Sequence, residues 1–250
     1  MAARAPKTGS AAKAESAESG RRADGSQTLQ RGLLVLRMLA EAPQGLTASE
    51  IAARLDVHRS IAYRLLTTLS RSHFAVRDGN RYRIGVSFFT LAEHSRPPLL
   101  DVAQPVLRTL THRLGATACL VVPEDDCAVA VAVVEPPGPG PRFSYGVGSR
   151  DPLQRGAAGL ALMMGGARPE SLPRAVAARV ARAVEAGYVS SHDEVVAGTY
   201  AVAAPIPVPA GEQPAAVNVI THRQELADGA VPHLVEAVRR IGELLRLPGS

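Results

Sequence analysis

Cysteine, lysine and long apolar runs are all scarce in this 250-residue chain, and each scarcity narrows what the protein can be. Two cysteines, Cys119 and Cys127, cannot build a disulfide framework, so a reducing cytoplasm is the expected home. No run of eighteen apolar residues occurs, which leaves no candidate for a membrane-spanning helix. The first residues carry positive charge without the apolar stretch of a secretory signal, so none is expected. No Walker motif, G-x-S-x-G elbow or dinucleotide fingerprint appears, and Gly146-Val-Gly148 is too short to count. No catalytic residue and no cofactor is expected.

What is present is an arginine-rich chain with enough apolar residues, 46%, to bury a core, and too few charged ones, 20%, to be wholly disordered. Its net charge of +5 is unevenly spread: +2 over residues 1–26, +5 over 27–96 and −2 over 97–250. An arginine bias alone (26 of the 28 basic residues) raises the total but does not explain the asymmetry. Cationic side chains concentrated on one segment suit a phosphate backbone, whose condensed counterions they release.

That segment has a recognisable order. Residues 1–26 lack apolar periodicity and read as a disordered, solvated tail. Leu29, Leu33, Leu36 and Leu39 then recur at helical spacing until Pro43 and Gly45. Thr47-Ala-Ser-Glu50 is a capping box opening a short helix with Ile51, Ala52 and Leu55 inward. Asp56-Val57 makes a turn, and a third helix runs from about His58 to Ser72, with Ile61, Ala62, Leu65, Leu66 and Leu69 inward. Phe74 to Arg77 and Arg81 to Ile84 alternate around Asp78-Gly79-Asn80, as a β-hairpin does. This is the order of a winged helix-turn-helix. On the third helix His58, Arg59, Ser60, Tyr63, Arg64 and Thr67 fall off the apolar stripe and share one face. Arg59 and Arg64 fit a guanine edge, while Ser60, Tyr63 and Thr67 fit phosphates. Arg77, Arg81 and Arg83 lie on the wing. The alternative for these arginines is a solvated helix face.

Two further helices are expected, Ser87 to about His94 and Leu99 to about Leu114, broken at Arg96-Pro97-Pro98. Beyond Gly115 the pattern changes. Strands are expected at 118–122, 127–134, 143–147, 200–208 and 215–221, with helices at 155–164, 172–186 and 226–247. Without a regular β-α repeat, the class is α+β with an antiparallel sheet.

The run from Ser26 to Gly85 resembles the N-terminal domain of the IclR family of bacterial transcriptional regulators. VGSRDPL at 147–153, GAAGLAL at 156–162, EAGYVSSHDEVVAGTYAVAAPIPV at 185–208 and AAVNVITHRQEL at 215–226 resemble that family's effector domain. The resemblance implies a winged helix-turn-helix at 27–86, linker and dimerisation helices at 87–114, and a GAF-like effector-binding domain at 115–250. It also implies a homodimer or homotetramer on double-stranded operator DNA, with no membrane partner. The family's pockets commonly hold a small carboxylate or aromatic acid, and by motif the pocket positions here are Ala157 and Ala158, then Ser191, Thr199 and Ala201, then Asn218 and Ile220. The chain departs from the family at Ala201, Ile220, Gln154 and Leu160, which makes the expected pocket more apolar. Arg150 and Arg155 remain to meet an acid group, although Arg150 also suits a nearby carboxylate.

Ser191-His-Asp-Glu194 reads as a polar loop rather than a metal site, since neighbours in sequence do not converge on one ion. Two rival readings remain. One is a regulator with a closed pocket that signals through protein–protein contacts. The other is an enzyme carrying an incidental helix-turn-helix.

Overall fold

The computed structural model describes residues 25–95, 97–138 and 145–247, and the chain divides into two units, 1–95 and 96–250. The expected tail falls almost wholly outside the described residues. Ser26, at its end, caps the first helix by accepting the Leu29 N–H.

In the first unit α1 (Gln27–Ala40) buries Val35 and Leu39. The two-residue strand β1 (Leu46–Thr47) leads straight into α2 (Ala48–Leu55). The capping box is formed: Thr47 N–H donates to Glu50 Oε2 at 2.7 Å, and Glu50 N–H to Thr47 Oγ1 at 3.2 Å. Two otherwise orphaned amides are thereby satisfied. Asp56 ends α2 in the left-handed region at φ 50°, a conformation that aspartate tolerates better than most residues. α3 (Arg59–Arg71) follows, burying Ala62, Leu65 and Leu66. β2 (Ala75–Asp78) and β3 (Arg81–Ile84) form the hairpin, with Asp78 opposite Arg81 across the Gly79-Asn80 turn. β3 also pairs with β1, giving the order β1-β3-β2. At the hairpin root a Cβ on Gly85 would lie 2.0 Å from the His73 carbonyl oxygen, so only glycine fits. α4 (Ser87–His94) buries no residue.

The second unit opens with α5 (Pro98–Leu114), followed by β4 (Thr117–Glu124) and β5 (Cys127–Val134). β6 (Arg150–Pro152), α6 (Gly156–Met164), α7 (Arg174–Ala186) and β7 (Val189–His192) come next. β8 (Tyr200–Pro205), β9 (Ala216–Thr221) and α8 (Gln224–Leu244) complete it. The sheet has the order β6-β5-β4-β9-β8-β7, and every pair is antiparallel. Side chains alternate between two cores, as the pleat dictates. Ala118 and Leu120 of β4 and Val217 and Val219 of β9 join Leu107 of α5 and Leu234 of α8 on one face. Cys119, Val121, Ala216 and Ile220 join Leu160 and Leu162 of α6 on the other. Both faces are therefore covered, which is why apolar residues follow one another along 118–122 of β4 and flank Asn218 on both sides in β9. Each fully buried leucine here contributes about 2 kcal/mol. α6 is buried on all sides but its last residue, a small-residue helix wedged in so tightly that a Cβ on Gly159 would sit 2.4 Å from the Leu153 carbonyl oxygen.

The fold is the α+β arrangement expected, a helix-turn-helix unit followed by an antiparallel sheet with helices. Details differ. Residues 145–147 of the strand expected at 143–147 are not strand, and 143–144 lie outside the described residues. β6 and β7 were not foreseen: one has three residues, and the other is an edge strand whose Ser-Ser-His lacks a strand's apolar content. β8 stops at Pro205, which has no N–H for the ladder, rather than reaching 208.

Candidate nucleic-acid interface and a closed cavity

The outer face of α3 is the first candidate site. Arg59, Ser60, Tyr63, Arg64 and Thr67 are all exposed on it. The same i+4 spacing adds Thr68 and Arg71, two exposed residues outside the expected set. No acidic residue lies on α3.

These side chains are not equally available. His58 is the N-cap: its Nδ1 accepts the Ser60 N–H at 3.3 Å and lies 2.9 Å from Ser60 Oγ. Thr67 Oγ1 donates back to the Tyr63 carbonyl at 2.8 Å. Arg59 donates to Tyr63 Oη at 3.2 Å, and its guanidinium stands 5.3 Å from the centre of the Tyr63 ring. The Arg64 carbonyl accepts from Thr68 Oγ1 at 3.1 Å, but its guanidinium makes no hydrogen bond or ion pair among the described residues and is exposed.

The hairpin arginines divide in the same way. Arg77 donates to the Gly79 carbonyl at 2.8 Å and lies over the Tyr82 ring, which holds it along the strand. Arg83 pairs with Asp78 at 3.2 Å on the surface. Arg81 is only half-exposed; it donates to the Gly45 carbonyl at 2.8 Å and reaches Glu50 at 3.4 Å, tying the hairpin to the capping box.

The second candidate is a cavity at the N-terminus of α6. All seven expected pocket positions border it: Ala157 and Ala158 from the first turn of α6, and Ser191 from β7. Thr199 sits just before β8 and Ala201 within it, and Asn218 and Ile220 come from β9. The cavity has about 30 Å³ of free space, room for one or two waters. Sequence reasoning missed Tyr145, Asp151, Glu194 and Val195, which also line it.

The N-terminus of α6 is already occupied. Gly156 N–H donates to Glu194 Oε2 at 3.0 Å, and Ala157 N–H to Ser191 Oγ at 2.9 Å. Glu194 is gripped in turn by the Arg179 fork, at 2.6 and 3.0 Å, while Arg155 donates to the Glu194 backbone carbonyl. Arg179, helped by the Gly156 amide, holds the Glu194 carboxyl below the usual carboxylate range against its partial burial. Val195 packs against Gly156: a Cβ there would fall 2.7 Å from its Cγ2.

Asp151 is in the opposite situation. It is 9% exposed and has no ion pair among the described residues. Burial pushes its carboxyl above the usual range, with Tyr145 opposing weakly. The Tyr145 hydroxyl lies near enough to interact with Asp151, yet like the Asn218 side-chain oxygen it is buried without a hydrogen bond of good geometry. The Cys119 thiol beneath is pushed up to about 12 by burial, with Asp151 adding to it. Arg150, one of the two arginines expected to meet an acid group, instead pairs with Glu124 at 2.7 Å. No cluster of three or more metal-ligating side chains occurs among the described residues, and none of their helices is long and apolar enough to cross a membrane.

Comparison with known proteins places these features. A family model described as the IclR helix-turn-helix domain matches residues 28–79. The HTH-type transcriptional regulator BhcR of Paracoccus denitrificans is 30% identical over 237 residues, 86% of this chain and 84% of that protein. The HTH-type transcriptional repressor AllR of Escherichia coli is 31% identical over 144 residues, 56% of this chain and only 52% of that protein, about half its length. An IclR homolog from Microbacterium hydrocarbonoxydans, solved in complex with 4-hydroxybenzoate, has the same fold: TM-score 0.76, 24% identity, covering 88% of this chain and 99% of that one.

Proposed function

The chain belongs to the IclR family of transcriptional regulators, and from that premise we propose that it binds operator DNA through α3 and the hairpin, under control of a small molecule bound at the α6 cavity. The observation that carries this reading is the outer face of α3: seven exposed polar or cationic side chains, no acid, and two arginines, Arg64 and Arg71, whose guanidinium groups have no partner among the described residues. Arg64 and Arg59 read base edges, and Arg59 is braced for it by Tyr63. Ser60, Tyr63 and Thr67 meet phosphates, and His58 orders the first turn. Arg77 and Arg83 reach the backbone or minor groove from the hairpin. Arg81 holds the hairpin to α2 and acts on DNA only through that placement.

The protein acts as a homodimer in the cytoplasm, with two recognition helices set on two half-sites. Exposed apolar side chains on the first unit supply a self-complementary surface: Leu29 and Leu33 on α1, and Phe88, Leu91 and the 71% exposed Phe89 on α4. The effector acts by binding one arrangement of the dimer more tightly than the other.

In vitro selection of bound DNA followed by gel shift tests the reading. Arg64→Ala is expected to weaken the selected site by about 1–3 kcal/mol. Unchanged affinity removes Arg64 from the reading face. The small free volume of the cavity favours one second reading, a closed pocket whose signal passes through protein contacts. A compound that raises thermal stability and alters operator affinity decides against it.

A further inference from the structure

The cavity beside α6 has a charge balance that selects among ligands. A carboxylate effector needs a cation or free amides to meet it, and the arginines nearest the cavity and the first two amides of α6 are already used. The first two amides of α6 are taken by Glu194 and Ser191. Arg179 forks onto Glu194, Arg155 is on the Glu194 carbonyl, and Arg150 is on Glu124. None of the residues lining the cavity is lysine, arginine or histidine.

What the cavity does leave open has the opposite character. Asp151 lines it with no cation beside it, and the Asn218 oxygen lines it with no donor. Asn218 is 4% exposed and Tyr145 6%, so neither is satisfied by bulk water. Buried acceptors left without donors are costly, and a ligand that supplies donors recovers that cost. A second negative charge placed against Asp151, with no cation lining the cavity, is disfavoured.

We infer that the effector of this cavity is a small molecule that presents an N–H or O–H donor and carries no negative charge, an amide, alcohol or ammonium rather than a carboxylate. This rests on the reading of the cavity as the effector site. Asp151 and the Asn218 oxygen receive the donor, and the Tyr145 hydroxyl either joins them or donates in turn. A ligand larger than two waters must displace Val195 from Gly156, beside a Glu194 that Arg179 anchors.

Two matched sets of probes test this by calorimetry on the full-length chain: acetate, acetamide and methylammonium, then benzoate, benzamide and benzylammonium. The amide or ammonium member of at least one set is expected to bind about tenfold or more tighter than its carboxylate. Asp151→Asn, checked for folding by circular dichroism, is expected to shrink that preference to about threefold or less. Should the variant not fold, the ranking on the wild-type chain decides alone. A carboxylate that binds tightest overturns the inference and leaves the cavity as the effector site. An undiminished preference in folded Asp151→Asn overturns it too, because the ligand then sits elsewhere. If none of the six binds, the cavity is not the effector site and the inference falls with it.

Discussion

Two helices of this protein begin in contrasting ways. α3 starts at the surface, its cap supplied by His58 and its face left to solvent. α6 starts in the interior, its first amides already closed by Glu194 and Ser191. Both N-termini carry the same partial positive charge from aligned peptide dipoles. One is open to an outside anion such as a phosphate; the other is neutralised by an acid from the chain itself. The chain meets external anions with the first unit and satisfies its internal ones in the second.

The strongest way to break this contrast is to remove the internal acid. Glu194→Ala leaves Arg179 half-buried and the Gly156 amide unpaired, and is expected to cost about 2–3 kcal/mol of stability in urea denaturation. Because the Glu194 carboxyl titrates below its ordinary value of 4.5, its contribution is full above that pH and is lost as the pH falls through the folded value. The variant should therefore differ most from the parent at neutral pH and converge with it in acid. Arg64→Ala tests the other end and should do the reverse: operator affinity falls by about 1–3 kcal/mol while the urea midpoint stays in place. His58→Ala removes only a cap and is expected to cost about 1 kcal/mol or less, seen as a small drop in thermal midpoint. The smallest effect is expected from Asp151→Asn, and it has the opposite sign. Asp151 titrates above its ordinary value of 3.8, so the parent is most favoured below that value and loses stability as the pH rises through the folded one. The asparagine variant should be slightly more stable than the parent at neutral pH, with the gain vanishing in acid.

The two ends were also unequally legible in the sequence. Thr47 and Glu50 stand three residues apart, and the hairpin turn lies between strands of four residues, so local spacing was enough to find both. Helical periodicity alone places His58, Arg59, Ser60, Tyr63, Arg64 and Thr67 on one face of α3 and its cap, and the same spacing brings Thr68 and Arg71 to it. The seven pocket positions came from family resemblance, and the structure gathers all of them round one cavity. What closes that cavity could not be read from the chain. Glu194 reaches back 38 residues to Gly156 and 15 to Arg179, and Arg81 spans 36 residues to Gly45. A nearby carboxylate for Arg150 was legible, but which one was not, because adjacent residues on a strand face opposite ways. Arg150 went outward to Glu124, while Asp151 went inward.

The two thiols give the protein its own gauge of unfolding. Cys119 is fully buried, and its thiol is pushed up to about 12, so at neutral pH it offers almost no thiolate to an alkylating reagent. Cys127, at the start of β5, is partly exposed. A maleimide dye should count one reactive sulfur on the folded chain and two on the opened one. The rate at which the second label appears then times the opening of the sheet against α6, with no engineered probe.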